Sequence, residues 1–542
     1  MRRLTTIVIF TIVSTCCCNL LAQEIHFNIE SKAFVSNRDN LQPHYQYANQ
    51  WGVVSSLDES HALLVGGVQS QLLNNKHIQL KAGLSGVVKS DIGESFLHEV
   101  YLSGKAFNLI NFNIGKEAYT PLSYNDELTV GGFFMNSNAC PLPRVTMGIY
   151  DYVPLGFTNN WIEIKGGISQ GFLNDNRTAS GKHNSADNAL LHEKWAYMRI
   201  GNLKVQPYMG LAHSSIFGGT RTNGDKIPID FWATFFAKGS SKLGGGEETN
   251  AAGGHEGFWD FGLYTENDFG KFHLYWQKPF ADASGLKLWY GRNRDYKLGL
   301  LSSINDFKWI KNISIEFVRT DYQSGAGIPD PLYPEGHPRE GQIIWMYEID
   351  DYDAFMMDTF GEETNGWGEE EVWEYLRVNE NHGHHYGGRD DYNNNGSYYN
   401  GWTYHGQTMG LPLYHTYDQA KAYAPDWNPN NRVVLMNTRV RAFHIGLEGE
   451  FLSGLTYRFK STFTRNFGSY SEEYVKRYSW TPVEDYYYQD GKNQTYSQLK
   501  INFQPKKWKN LKVQSSVSFD AGEMYHSFGW MIGINYCPSV LL

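Results

Sequence analysis

The stretch Leu455-Thr-Tyr-Arg-Phe-Lys-Ser-Thr-Phe-Thr464 decides the fold, because its side chains alternate in character along the chain. Leu455, Tyr457, Phe459 and Phe463 are apolar, while Thr456, Arg458, Lys460, Thr462 and Thr464 between them are polar. A period of two is that of a β-strand with one apolar face. The same alternation runs through Ile78, Leu80, Ala82 and Leu84, through Ile313, Ile315 and Phe317, and through Leu499, Ile501 and Phe503. Two more such strands stand near the C-terminus, one carrying Leu511, Val513, Val517 and Phe519, the other Phe528, Trp530, Ile532, Ile534 and Tyr536. Each window covers about nine to eleven residues, the length of a tilted strand across a bilayer. Short turns such as Phe451-Leu-Ser-Gly454 and Pro505-Lys-Lys-Trp-Lys-Asn510 join some of them.

Composition narrows the setting of these strands. The 542 residues are 41% hydrophobic, 15% aromatic and only 19% charged, with 55 glycines. A mean hydropathy of -0.47, with no apolar run of about 18 residues after the N-terminus, excludes a bundle of transmembrane helices. It leaves a spanning β-barrel open, because lipid-facing and lumen-facing side chains average out. A single soluble sandwich rarely exceeds about 250 residues, and neither a linker nor an internal repeat divides this chain. The sequence therefore predicts an all-β, outer-membrane barrel over residues 23–542, with long extracellular loops and room for small periplasmic or luminal helices. At about 29 residues per strand with its share of turn and loop, the chain supplies about 18 antiparallel strands. The chain runs on past Tyr536 to Leu542, where many such barrels end on an aromatic residue. The net charge of -10 argues against a nucleic-acid partner, which calls for a basic stripe.

The N-terminus sets the compartment. Arg2 and Arg3 precede the apolar run Leu4 to Val13, and Asn19-Leu-Leu-Ala22 is followed by Gln23, the layout of a secretory signal cleaved after Ala22. Val13-Ser-Thr-Cys16 loosely matches a lipobox, which keeps a lipoprotein as the alternative. Cys16, Cys17 and Cys18 fall in the signal, so the mature chain keeps Cys140 and Cys537. One disulfide is open to them, and two structural thiols are the simpler reading.

The alternation fades between Asp321 and Asn430. These 110 residues hold 18 of the 52 Tyr and Trp in the chain, a density that argues against disorder. Within them, Gly388-Arg-Asp-Asp-Tyr-Asn-Asn-Asn-Gly-Ser-Tyr-Tyr-Asn-Gly-Trp-Thr-Tyr404 interleaves rings with carboxylates and amides. Sugars need that mixture, because a ring stacks on the apolar C–H face while Asp and Asn exchange hydrogen bonds with hydroxyls. The candidate glycan-binding residues are Asp390, Asp391, Tyr392, Asn393, Tyr398, Tyr399, Trp402, Tyr404 and His405. The competing reading is that these rings fold the segment on itself, with Gly and Asn supplying turns. Asp391-Tyr-Asn-Asn-Asn-Gly396 repeats the first half of a calcium loop, but Trp402 stands where the bidentate Glu belongs. His382, His384 and His385 lack a further ligand group at helix spacing. Glu369, Glu370, Glu371 and Glu374, with Val372, Trp373 and Leu376, read as a short amphipathic helix. No nucleophile, nucleotide or zincin motif is present, so no catalytic residue, cofactor or metal is expected. Pro141 and Pro143 place their segment on a rim or in an inward-folded loop.

Several dispersed motifs carry a family resemblance. Gly131-Gly-Phe-Phe-Met-Asn-Ser-Asn-Ala-Cys-Pro-Leu-Pro-Arg144 is followed by Val153-Pro154, Trp161-Ile-Glu-Ile-Lys-Gly166 and Leu190-Leu-His-Glu-Lys194. Gly210-Leu-Ala-His213, Phe217-Gly-Gly219 and Tyr399-Asn-Gly-Trp-Thr-Tyr-His-Gly-Gln-Thr-Met-Gly410 continue the series, and Leu41-Gln-Pro-His-Tyr-Gln-Tyr-Ala-Asn-Gln-Trp-Gly52 opens it. In this order they resemble the capsule assembly Wzi family, with Cys140 a departure where a basic or polar residue is expected. The resemblance implies an 18-stranded barrel in the bacterial outer membrane that acts as a lectin for capsular or other surface polysaccharide, helping to assemble or retain it. It brings no catalytic residues, and leaves contact with a polysaccharide export machinery open. A repetitive polymer held by many weak sites needs only shallow contacts. Removal of Trp402 and Tyr404 together is then expected to lower glycan binding with the barrel intact. A porin or saccharide export channel is the alternative, and a barrel-borne hydrolase a third reading.

Overall fold

The computed structural model describes residues 24–541 except 123, 244–250, 282–284, 287, 289–292, 325–327, 330, 343, 380–384, 387–389 and 475–482. The signal segment and His382 and His384 lie outside the described residues. The alternating segments all form strands. In chain order the wall comprises β1 (Glu24–Ser36), β2 (His61–Asn74), β3 (Ile78–Lys89), β4 (Phe96–Ala106), β5 (Ile110–Lys116), β6 (Arg144–Pro154), β7 (Ile162–Leu173), β8 (Ala189–Ile200) and β9 (Val205–Phe217). It continues through β10 (Gly254–Asn267), β11 (Gly270–Phe280), β12 (Tyr296–Ile304), β13 (Asn312–Arg319), β14 (Val440–Leu452), β15 (Leu455–Asn466), β16 (Lys492–Phe503), β17 (Leu511–Gly522) and β18 (Ser527–Tyr536). Each pairs antiparallel with its neighbours in sequence, and β1 pairs with both β2 and β18, closing the sheet. The residues past Tyr536 extend that closure: beyond Cys537-Pro538, Val540 pairs with Ile25.

The wall has the two faces its alternation requires. Along β18, Phe528, Trp530, Ile532, Ile534 and Tyr536 are exposed outward, while Ser527, Gly529 and Met531 are buried inward. A second signature of the bilayer runs round one rim. Phe107, Phe157, Trp161, Phe269, Phe307, Trp309 and Trp508 all sit exposed in the short connections between strands, forming the aromatic girdle of a membrane interface. The opposite rim carries the long segments 37–60, 117–143, 218–253 and 320–439. In barrels of this kind short turns face the periplasm and long loops the exterior.

Three of the rim segments turn inward and plug the upper lumen. The first brings Tyr45 and Tyr47, the second Val130, Phe133 and Phe134, the third Tyr392, Trp402, Leu411 and Tyr414, all buried. They pack in two clusters against opposite walls, one with Val318, Val440 and Tyr496, the other with Leu191, Trp195, Tyr208 and Phe258. Pro141 and Pro143 therefore lie in an inward-folded loop, as the sequence indicates. Gly446 on the wall permits the approach, since a Cβ there would stand 2.4 Å from the Leu128 carbonyl oxygen.

Inserted backbone must keep its hydrogen bonds, and wall side chains supply them. Glu316 accepts from the Val130 amide at 2.6 Å and from the Tyr275 hydroxyl at 2.6 Å. Lys297 donates to the Gly131 carbonyl at 2.8 Å. Asp520 accepts from the His44 amide at 2.8 Å, and Gln498 donates to the Tyr45 carbonyl at 2.7 Å. Glu256 accepts from the Asn393 amide. Replacing Glu316 with Ala strands two buried donors, each costing about 1–3 kcal/mol. The expected outcome is a lower melting temperature of the plug, read by tryptophan fluorescence, with the barrel still heat-modifiable on denaturing gels. An unchanged melt would show that the plug is held elsewhere.

Candidate functional site

The structure brings the sequence-nominated residues together, inside the plug. Trp402 is 1% exposed, as are Tyr392 and Tyr404, and Asp391, Asn393, Tyr398 and Tyr399 are buried too. Most of their polar tips are engaged by protein, while Trp402 Nε1 and Asn393 Oδ1 are buried with no hydrogen-bond partner among the described residues. Tyr404 donates to Asn174 at 2.6 Å, Tyr398 to the Gly218 carbonyl at 3.0 Å, and Tyr399 to Asn431. Asp391 accepts from Thr438 at 3.1 Å, and Asp390 from Ser324 at 2.7 Å. His405 alone of the nine is exposed, at the tip of the Thr403–Thr408 hairpin. The expectation of a sugar face on this segment is corrected accordingly: the Tyr and Trp rings are buried, and their side chains are plug core. Removing Trp402 and Tyr404 together would open a cavity in that core, at a cost of about 3–5 kcal/mol per large aromatic.

The half calcium loop folds as tight turns, with the Asn394 amide on the Asp391 carbonyl at 2.9 Å and the Ser397 amide on Asn395 Oδ1 at 2.8 Å. Asp391 and Asn393 have left-handed φ of 55° and 64°, and Asn394 pairs both ways with the Leu435 backbone at 2.9 and 3.1 Å. The acidic segment forms the helix Glu369–Asn379 with Val372 and Leu376 buried, and Glu371 accepts from the Gly368 amide at 3.0 Å. Cys140 and Cys537 are unpaired thiols. Cys140 occupies space that Gly52 vacates, where a Cβ would stand 2.3 Å from its Sγ.

Open space lies lower, toward the short-turn rim. A hollow of about 550 Å³ is lined by Tyr119, Tyr124, Tyr150, Asp151, Lys165 and Tyr264. It adjoins another of about 440 Å³ that shares Tyr264, His273 and Leu301 and adds Arg199, Gln206 and Lys271. Tyr264 and His273 stack between the two at 4.1 Å, and Tyr119 stacks on Tyr150 at 5.6 Å. Tyr119 is 38% exposed into this vestibule, and burial of its surroundings pushes its phenol up to about 12, so it stays a neutral donor. Ion pairs complete the lining: Arg199 reaches Glu163 with Nε at 2.7 Å, and Lys105 reaches Asp151 at 3.2 Å. The ceiling is a buried carboxylate, Asp260, which accepts from Tyr197 at 3.1 Å, Tyr208 at 3.0 Å, Gln277 at 3.1 Å and the plug residue Tyr124. Phenol faces beside fixed charges suit a saccharide: rings stack on C–H faces and charged groups bond hydroxyls. Sequence reasoning missed these residues because Tyr150 and Tyr264 are single tyrosines on separate strands, and Tyr119 and Tyr124 are brought to them only by the inward fold of the 117–143 segment.

No family model matches the chain. No curated protein matches it. Among solved structures it is similar to Wzi, an outer-membrane protein involved in group 1 capsule assembly in Escherichia coli and described as a carbohydrate-binding β-barrel. That likeness has 11% identity and a TM-score of 0.50, covering 94% of this chain and 83% of the other. It is also similar to Pseudomonas aeruginosa OccK5 (OpdH), at 8% identity and a TM-score of 0.43, covering 96% and 98%. The outer-membrane protein opdK of Pseudomonas aeruginosa matches at 8% identity and a TM-score of 0.44, covering 96% and 99%. The fold is that of a bacterial outer-membrane barrel, and the chain resides in that membrane.

Two buried histidines make the plug sensitive to acid. Burial pushes His415 down to about 4, and burial together with neighbouring His415 and Lys460 lowers His44. A released plug would take up these protons near pH 6.5, whereas in the packed plug His415 takes one up only near 4 and His44 only well below its usual range, so their contribution to stability is complete above about 6.5 and is lost as pH falls below it. Planar-bilayer recordings should show rare openings at pH 7.5 and more frequent ones at pH 4.5. The double variant His44→Gln, His415→Gln should lose that difference. An identical pH response in the variant would place the titration elsewhere.

Proposed function

We propose that this protein is a plugged outer-membrane barrel of the capsule-assembly type, which binds surface polysaccharide without catalysing its conversion. The observation that carries this reading is the division of the lumen. Packed aromatic clusters fill the upper half, and the lower half keeps a tyrosine-lined vestibule of saccharide dimensions. A plug held by buried carboxylates suits a binding protein more than a permanent pore. The ordered motifs from Leu41 to Gly410 agree with membership of the capsule assembly Wzi family. Binding at the vestibule would meet the polymer from the periplasmic side.

A porin or export channel is the second reading, and the charged lining of the lower lumen favours it. Arg458 pairs with Glu448 through Nε at 2.9 Å and with the plug residue Glu127, and Lys81 pairs with Glu117 at 2.7 Å. Such a lining is wet.

The test is the partition of surface polysaccharide between cells and medium in a strain carrying Tyr119→Ala with Tyr264→Ala. Polymer made in normal amount but shed into the medium is the expected result. Normal retention, with steady conductance from the purified wild-type barrel at neutral pH, would replace the binding role with the channel.

A further inference from the structure

The outer wall carries a feature that the saccharide reading does not use. Arg319 on β13 pairs in register with Arg441 on β14, and Arg441 with Arg465 on β15. Residues directly opposite on neighbouring strands share a face, and these three alternate with the buried Val318, Ala442 and Thr464, so the face is the outward one. They form a row at the strand ends nearest the long loops. Tyr296 continues it on one side and Asn493 on the other. Two residues lower, Phe317, Phe443 and Phe463 form a second row in the same register, with Phe317 and Phe463 about half exposed on the lipid-facing wall. The two rows enclose a shallow concavity of about 660 Å³.

Three guanidinium groups side by side repel one another, and a lipid-facing wall is an expensive place for them. Part of the charge is met within the protein. Asp321 receives Nε of Arg319 at 2.7 Å and Nε of Arg441 at 2.8 Å, and Arg465 donates to the Asp490 carbonyl at 2.6 Å. Phe467 lies under both Arg441 and Arg465, at 5.4 and 5.7 Å, which holds the two planes at the mouth of the concavity. Glu523 stands past the far end, bound to the Asn493 amide at 2.6 Å. Asp321 is shared by Arg319 and Arg441, and Glu523 lies close enough to Arg465 to feel its charge.

We propose that this concavity binds a phosphorylated glycolipid of the outer leaflet, its sugar phosphate on Arg441 and Arg465 and its acyl chains along the phenylalanine row. The arrangement matches such a lipid in order: cations at headgroup height, an apolar surface directly beneath. Guanidinium forks bind phosphate through paired N–H bonds, which ammonium groups do not. A bound phosphate would add counter-charge along the row and accept from guanidinium N–H groups at its open side, and would seat the wall beside the 320–439 segment that closes the lumen.

The test uses the full-length protein purified in detergent, with lipid A bearing phosphates, the same lipid dephosphorylated, and inorganic phosphate as probes. Phosphorylated lipid A should be retained in native mass spectra and should raise the melting temperature, while the other two probes should do neither. Arg441→Gln with Arg465→Gln should weaken lipid binding about tenfold or more, and Lys507→Gln, exposed on the other rim, should leave it unchanged. If the double variant fails to assemble, Arg465→Gln alone is used, since its hydrogen bond runs to a backbone carbonyl, and it should weaken binding at least severalfold. Equal binding of dephosphorylated lipid, displacement by millimolar phosphate alone, or unchanged affinity in a folded variant would each overturn the proposal.

Discussion

Every peptide group placed inside a closed barrel has to find a hydrogen-bond partner there, and the rest of this structure depends on how that demand is met. The wall strands spend their own amides and carbonyls on each other. A segment folded into the lumen therefore has only wall side chains and its own turns to bond with, and an orphaned group costs about 1–3 kcal/mol. The inward positions of the strands answer with long polar side chains at the points of contact: Glu316 and Lys297 for Val130 and Gly131, Asp520 and Gln498 for His44 and Tyr45, Glu256 for Asn393. Each of these is buried, so each is itself expensive unless the plug is in place. Plug and wall thus satisfy one another, and neither is complete alone.

This mutual dependence explains why the lumen-facing half of the alternation carries charge where a water-filled pore could use serine or glycine. It also explains the aromatic density of residues 321–430. Tyrosine fills a wide lumen with few atoms of conformational freedom and ends in a hydroxyl that can donate to a neighbour, as Tyr404 does to Asn174 and Tyr398 to Gly218. The same residue type that would suit a sugar therefore also suits a plug.

The wall was legible in the sequence because a period of two survives any loop length. The windows at Ile78, Ile313, Leu455, Leu499, Leu511 and Phe528 all lie in strands, and the estimate of eighteen agrees with the closed wall. The helix around Glu369 was legible for the same reason, a period near 3.6. The placement of Trp402 and its neighbours was not, because composition fixes which groups are present and leaves open which way a ring faces. The vestibule was hidden more deeply. Tyr150 lies far in sequence from the hairpin pair Tyr264 and His273, and only the strand register and the inward fold of the 117–143 segment bring them and Tyr119 together. Arg319, Arg441 and Arg465 share that property: two of them flank a segment of about 120 residues, and nothing local links them.

The position of the vestibule follows from strand length. β5 has 7 residues, against 11 to 13 in most of its neighbours, and its pairing with β6 starts at Gly115 and Arg144. The 117–143 segment therefore enters the lumen partway down the wall instead of arriving over the rim. Its first turn carries Tyr119 and Tyr124 inward at that depth, where Tyr124 meets Asp260 on the far wall. Asp260 already takes hydroxyls from Tyr197 and Tyr208, so the segment is stopped there and forms a ceiling. On this side of the barrel no inserted segment among the described residues lies beneath that ceiling, and the inward residues of β6 to β12 are left to line open space. A longer β5 would raise the entry point, lift Tyr119 away from Tyr150, and break the stacked pair on which the vestibule's aromatic face depends.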